Sequence, residues 1–477
     1  MPKFSTQMIP SVICFLAFAL FASLISFKYF HLSYYDWDLA FFTQAMWNLC
    51  HGSQYTSLVG INYFGDHSYY FTFLLLPLFA IFPHPLTLVF LKIAAFIGSA
   101  YFLYRIVRRQ QPQWLALSFM GLYLVFPANV FAIIYEFNIE AFAPVFLLLV
   151  FDYFHRQKYE KFIVACLLLG LIKENMLLVV FVFGLCGLFV RKDRWKWGVL
   201  PLAVSGVAFL GLVFWLIPMH RHLHQHAFWV RYVHILDHPV GFLSKLIFGN
   251  VQYISDLFGP LLVPAVFDPG ALLFAVPILG QHLMSNEFAE HTIYYHYGPT
   301  MTPFIFLAAS AGIVKLRQKF NLKVFVIFLV CLLGFSAFHV VRFIPSMKAR
   351  LTVYEDNQDA LRWAMIKKIP ADAGVVASFC FLAPLATRQN LYSFHKIYDE
   401  FYQDPAKINR AELYEGSIFK LPEDARYALI DLNDFFFKRA QKQRPELTNQ
   451  KFNEFMQDWN VIEKQGPIVL LQRRAQR

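Results

Sequence analysis

The stretch Tyr34-Tyr35-Asp36-Trp37-Asp38-Leu39-Ala40-Phe41-Phe42-Thr43-Gln44-Ala45-Met46-Trp47-Asn48, followed by Phe64-Gly65-Asp66-His67, decides the reading of this chain. It sets carboxylates among aromatic rings directly after a hydrophobic segment at residues 9–27. Leu39, Phe42, Met46 and Leu49 recur at helical spacing, which makes one face apolar. Asp38 opens that helix and Gly52 lies just past its end, the usual capping asymmetry. The pattern predicts a short amphipathic helix on the outer surface of a membrane, with Asp38 aimed at whatever approaches from the bilayer. The competing role for Asp38 is that of a helix N-cap and nothing more.

Outward from this loop the chain is strongly apolar. Of its 477 residues 58% are hydrophobic and only 15% charged, with a mean hydropathy of +0.46. An ordinary soluble domain carries about 25% charged residues, so the composition is that of a polytopic membrane protein. The net charge of +11 does not indicate nucleic acid. The cations form short runs between hydrophobic segments, where they set orientation across a bilayer. The six cysteines show no CxxC or Cys/His ligand spacing, so their pattern gives no support to a structural zinc site. Cys50 and Cys380 are the two that could meet on the outer side as a disulfide. The first segment lacks a small-residue cleavage site and is read as an anchor.

Hydropathy and basic flanks predict an all-helical bundle of about eleven spans over residues 1–340, with outer loops at 31–85, 219–250 and 281–297. The apolar stretch at 69–82 is short and interrupted by Pro77, so it reads as a second surface or re-entrant helix. Arg105, Arg108 and Arg109, then Arg156 to Lys158, Arg191 to Lys196 and Lys315 to Lys319 fall on one side, the cytoplasmic one. That puts the N-terminus inside and the C-terminus outside. From residue 341 the composition changes. Segments 374–379, 427–432 and 467–471 read as short buried strands, and 357–367 and 450–457 as helices, giving a small extracytoplasmic α/β domain over 341–477.

Ionisable groups at membrane depth are costly and are functional by default. On the outer side these include Asp36, Asp38, Asp66, His67, Glu136, Glu140, Lys173, Glu174, Glu287, Glu290, His291 and His296. Lys173-Glu174 reads either as functional or as a helix-end ion pair. Lys92, inside a span, either snorkels to an interface or meets an anionic group within the bundle. The run His220-Arg221-His222-Leu223-His224-Gln225-His226 has metal-like spacing but no partnering carboxylate, so a headgroup contact competes with a metal site. Arg231, between Trp229 and Tyr232, is the stronger phosphate candidate. No P-loop, GxGxxG, GxSxG or HExxH is present, so a nucleotide cofactor has no support.

The loop 38–48 with Gly65-Asp66-His67, then Pro77-Leu78-Phe79-Ala80-Ile81-Phe82-Pro83, resembles the predicted membrane protein family numbered twenty seventy-nine among domains of unknown function. Glu136-Phe137-Asn138-Ile139-Glu140, Lys173-Glu174, His296-Tyr297 before Pro303, and Ala383-Pro384-Leu385-Ala386-Thr387-Arg388 are similar too. The chain departs from that pattern at Ala40, where Gly is usual, at Thr43, where Asp is common, and at Asn138, where His is common. The layout further resembles the GT-C glycosyltransferase superfamily, an analogy of fold rather than motif.

That resemblance implies a glycosyltransferase at the outer face of the inner membrane, moving a sugar from a polyprenyl-phosphate donor to an acceptor. Asp38 would then be the general base or a ligand to a divalent cation, with Asp66 and His67 assisting. Gln44, Glu136, Glu140, Lys173, Glu174, Arg231, His296 and Tyr297 would contact the lipid-linked substrate, with Lys173, Arg231 or His296 neutralising the leaving phosphate. The alternative is a non-catalytic transporter or flippase of a lipid-linked or small anionic substrate, although no inverted repeat is visible. A third reading is an envelope assembly protein whose outer domain binds a partner.

Overall fold

The computed structural model describes residues 8–221, 227–237, 241, 244–352, 357–403 and 418–474. The chain is mostly helical, and it divides into two compact units that interleave in sequence. The first comprises Met1–Ile25, His67–Thr72 and Phe90–Arg350; the second comprises Ser26–Asp66, Phe73–Val89 and Leu351–Arg477.

Among the described residues, four helices are long and apolar enough to cross a bilayer: α1 (Ile9–Phe30), α4 (Pro85–Val107), α10 (Trp195–Arg221) and α14 (Leu322–Ala349). The pair α5 (Gln113–Val125) and α6 (Pro127–Ile134), bent by 44° at Phe126-Pro127, makes a fifth if counted as one span. Pro127 lacks the N–H that would continue the helix, which accounts for the break. The eleven spans expected from hydropathy are therefore not all built as spanning helices. Other apolar stretches form shorter helices, among them α3 (Thr72–Ile81), α9 (Met176–Val190), α11 (Val251–Phe267) and α12 (Pro269–Met284).

The long helices leave large apolar side chains uncovered. Phe15 on α1, Val207 and Trp215 on α10 and Ile327 on α14 are all exposed. In water a surface this apolar would be a liability, whereas lipid tails solvate it. Helices α9 and α10 touch backbone to backbone at Gly187, where an added Cβ would collide with the Trp197 carbonyl oxygen. Helix α10 is not regular: π-type turns at Trp195–Val199 and Leu212–Leu216 interrupt it. The remaining helices of this unit that matter below are α7 (Ala143–His155), α8 (Tyr159–Gly170) and α13 (Thr302–Lys319).

In the second unit, α2 runs Asp38–Cys50 and is followed by a hairpin, β1 (Tyr55–Thr56) and β2 (Ile61–Asn62). Nine of the 13 residues of α2 are buried, Thr43, Gln44 and Asn48 among them. That corrects the expectation of a one-faced helix lying on a membrane surface. The tail of this unit is a five-stranded sheet in the order β4 (Leu391–Ser393), β3 (Gly374–Ala377), β5 (Ala425–Asp431), β7 (Ile468–Arg473), β6 (Trp459–Gln465). Strands β4, β3 and β5 are parallel, while β7 and β6 close the sheet as an antiparallel hairpin. Helices α15 (Asp359–Lys367), α16 (Phe435–Gln443) and α17 (Pro445–Gln457) accompany it. Strands β3, β5 and β7 were legible as buried apolar runs. β4 has three residues and β6 alternates with polar ones, so neither stood out. Cys50 is exposed and Cys380 is buried, each as a thiol, so the disulfide weighed between them is not formed.

Candidate functional site

The first unit gathers a buried set of charges from segments far apart in sequence. Lys173 and Glu174 occupy the turn between α8 and α9, and each bonds elsewhere. Lys173 Nζ donates to Glu140 Oε1. His67 Nδ1 bonds Glu174 Oε1 at 2.6 Å, and the Ser68 amide and hydroxyl reach the other oxygen, Oε2, at 3.1 and 3.2 Å. The two neighbours are thus not a helix-end ion pair with each other. Burial pulls the Lys173 pKa down, but the Glu140 and Glu174 carboxylates outweigh it and the net shift is upward, so the ammonium stays charged.

A carboxylate can only accept, so Nδ1 of His67 carries its proton toward Glu174 and Nε2 keeps its lone pair while the ring is neutral. The imidazole is stacked on Phe228 with centroids 4.6 Å apart. The same phenyl ring lies 4.4 Å from the Arg231 guanidinium, and Arg231 Nη1 donates to Glu290 Oε1 at 2.6 Å. Phe228 and Arg231 belong to a short 3-10 helix, Ala227–Tyr232, in the long loop after α10. Arg231 is therefore not a simple interfacial cation but a half-buried one paired with the buried Glu290.

These groups line one cavity of about 380 Å³. His67, Lys173, Glu174, Asn175, Arg231, Gln281 and Glu290 supply its polar wall. Phe209 and Val213 of α10 supply an apolar one, with Leu178 of α9 and Pro277 and Met284 of α12.

The other anticipated residues of this unit take supporting positions. Lys92, inside α4, reaches backbone carbonyls. Its Nζ donates to the carbonyls of Ala132, Ile133, Tyr135 and Glu136 at 2.8 to 3.2 Å, filling the acceptors left open where α6 ends. Glu136 is buried and offers Lys92 its carbonyl. His296 Nε2 bonds the Asn138 side-chain amide at 3.1 Å and its ring lies 4.0 Å from that of Tyr297. Burial, together with the Lys173 charge, holds the His296 pKa well below the usual value. Both causes favour the neutral imidazole over the phosphate-neutralising cation anticipated.

Three of the anticipated residues lie in the second unit. Asp38 is the first helical residue of α2 and not its cap; the cap position is Trp37, whose backbone N–H donates to Asp36 Oδ1 at 2.8 Å. Asp66 ends a short 3-10 turn, Tyr63–Gly65. Gln44 is a structural joint: its Nε2 donates to Ser57 Oγ at 2.8 Å and to the Gln389 carbonyl at 3.0 Å, and its Oε1 accepts from the Leu58 amide at 3.0 Å. In the histidine run, residues 222–226 lie outside the described residues. Among the described residues no group of three or more His, Cys, Asp or Glu is placed to hold a metal. Asn175, Gln281 and Glu290 were not anticipated as site residues. Glu290 had been noted as an outer ionisable group, whereas the two amides carry no sequence signal.

A family model described as "Predicted membrane protein (DUF2079)" matches residues 28–469, and the chain belongs to that family. No curated protein matches by sequence. Among solved structures, the chain is similar to ArnT from Cupriavidus metallidurans, crystallised bound to undecaprenyl phosphate. That likeness covers 95% of this chain and 97% of the other at 12% identity and a TM-score of 0.49, too distant to carry an argument about the site.

Proposed function

We propose that this member of the DUF2079 family is a GT-C-like membrane glycosyltransferase that takes a sugar from a polyprenyl-phosphate donor. The observation that supports the reading is the two-sided cavity, whose polar wall holds Arg231, Lys173 and the His67–Glu174 pair while its apolar wall is built from Phe209 and Val213 of a helix long enough to span a bilayer. A lipid phosphate needs both kinds of wall at one depth.

In this reading the base is His67. The acceptor hydroxyl oxygen attacks the anomeric carbon as the bond from that carbon to the phosphate oxygen breaks. The hydroxyl proton passes to His67 Nε2, and the lipid phosphate leaves with the bonding pair. Glu174 stabilises the imidazolium that forms. Arg231 takes charge developing on the phosphate, and Lys173, fixed by Glu140, raises the local potential. Asp38 is the rival base, and its substitution is the control. In this reading the N-terminus faces the cytoplasm and residues 341–477 lie outside the inner membrane, which the one-sided basic runs support.

Purified protein in lipid nanodiscs, given short-chain polyprenyl-phosphate sugars labelled in the sugar, should release label to water or to an added acceptor. His67→Gln should lower release by about a hundredfold or more while retaining donor binding. Release unaffected by His67→Gln but lost in Asp38→Asn would move the base to Asp38. No release from any donor would leave the non-catalytic carrier as the better reading.

A further inference from the structure

The charge pairs leave one demand in the cavity unmet. Glu290 is buried, at 3% exposure, and its Oε1 accepts from Arg231, but its Oε2 has no hydrogen-bond donor among the described residues. Asn175 is 6% exposed; its Nδ2 donates to Gln281 Oε1 at 3.1 Å, and its Oδ1 has no donor either. Both side chains line the same cavity. Buried polar atoms are nearly always satisfied, and an acceptor left alone in a side chain that lines a cavity is satisfied when a ligand's donor draws it toward the cavity. Glu290 is acceptor-only, so its demand holds whichever way the neighbouring amides are turned.

We infer that Glu290 and Asn175 form a hydroxyl-reading subsite that accepts hydrogen bonds from a polyhydroxylated ring, a pyranose, carried by the ligand of this cavity. The inference rests on the lipid-phosphate reading above and goes beyond it by naming the residues that recognise the sugar. The chemistry fits a neutral polyol best. Two separate acceptors, one a carboxylate already half-neutralised by Arg231 and one a neutral amide, match two O–H donors. A single ammonium would call for carboxylates alone. The volume of about 380 Å³ is at the small end of the usual range for small-molecule sites, as a monosaccharide needs. A site that hydrogen-bonds a substrate hydroxyl discriminates strongly against an analogue lacking it, because its polar groups are then stranded.

Full-length protein in nanodiscs is titrated with farnesyl phosphate and with farnesyl-phosphoryl hexose, following the fluorescence of Trp229, which also lines the cavity. The wild type should bind the hexose adduct at least about tenfold more tightly than the bare phosphate, the increment of one to two good hydrogen bonds. Asn175→Leu should shrink that ratio toward one while leaving farnesyl phosphate affinity within about twofold, and Glu290→Gln, which also changes the partner of Arg231, should shrink the ratio whatever it does to the affinity for the bare phosphate. The two variants are independent, so either one alone decides if the other fails to fold. Equal affinity for the two ligands in the wild type, or a ratio untouched by the substitutions, overturns the sugar subsite and leaves the lipid-phosphate site standing. Binding of neither ligand overturns both.

Discussion

Gln44 Nε2 donates to the backbone carbonyl of Gln389 at 3.0 Å, joining helix α2 to the turn before β4 across 345 residues of sequence. The bond is one of a set. Ser57 Oγ donates to the Leu391 carbonyl at 3.0 Å and accepts from the Leu391 amide at 2.8 Å, and Lys396 Nζ donates to the Val59 carbonyl at 3.1 Å. Residues after the first hydrophobic segment and residues of the tail therefore share one interior.

Removing the Gln44 amide should loosen that unit. Gln44→Leu strands the Leu58 N–H, which donates to Gln44 Oε1, and deprives the Gln389 carbonyl of a donor. A buried polar group left unpaired costs about 1–3 kcal/mol. Limited proteolysis should cut the tail of the variant at lower denaturant than in wild type. Unchanged resistance would show that Gln44 bears no share of the joint.

Lys92 should be intolerant of replacement by an apolar residue of like size. Lys92→Met leaves the carbonyls at the end of α6 without their shared donor, and that turn leads directly to Glu136 and Glu140. Thermal unfolding in detergent should shift down by several degrees, since each stranded acceptor costs about 1–3 kcal/mol. Lys92→Arg should recover part of the loss, because it restores donors without restoring the point geometry. Equal stability of wild type and Lys92→Met would refute the capping role.

The His67–Glu174 pair separates chemistry from folding. Glu174→Gln keeps the size and one acceptor for Ser68, but it no longer stabilises an imidazolium at His67. Sugar release should fall by about a hundredfold or more in His67→Gln and by a smaller factor in Glu174→Gln, with donor affinity little changed. A parallel rise in Kd for the donor would instead make the pair a binding element.

Lys396 gives a pH signature to the second unit. Burial lowers its pKa from 10.5 to about 7. Between these values the unfolded chain holds a proton that the folded one does not, so stability rises with pH from about 7 to about 10.5 and is flat below. Lys396→Met should lack this increment, and its advantage over wild type should be largest at or below pH 7. Denaturant midpoints of the two proteins that run parallel between pH 7 and 9 would contradict the assignment.

Orientation is tested by labelling. In a cysteine-free variant, Lys158→Cys and Arg317→Cys should resist an impermeant thiol reagent in intact cells, while Ser53→Cys and Asn433→Cys should react. Modification of position 433 only after permeabilisation would place the tail in the cytoplasm.

Composition and period alone determined that the chain is a membrane protein, that it carries a sheet-bearing tail, and that Asp38 begins a helix, because hydropathy, strand alternation and capping are local properties of the chain. The pairing of the charges was not local. Lys173 and Glu174 are adjacent, yet one meets Glu140 and the other His67, and only the packing of α7, α8 and α9 with the His67–Thr72 segment assigns those partners. The same holds for Gln44, which the family resemblance offered as a substrate contact and whose bonds to Ser57, Leu58 and Gln389 only the folded tail supplies. Asn175 and Gln281 had no motif to mark them. A neutral amide becomes informative only when burial removes water and leaves its acceptor demanding a donor, and burial is a property of the tertiary structure.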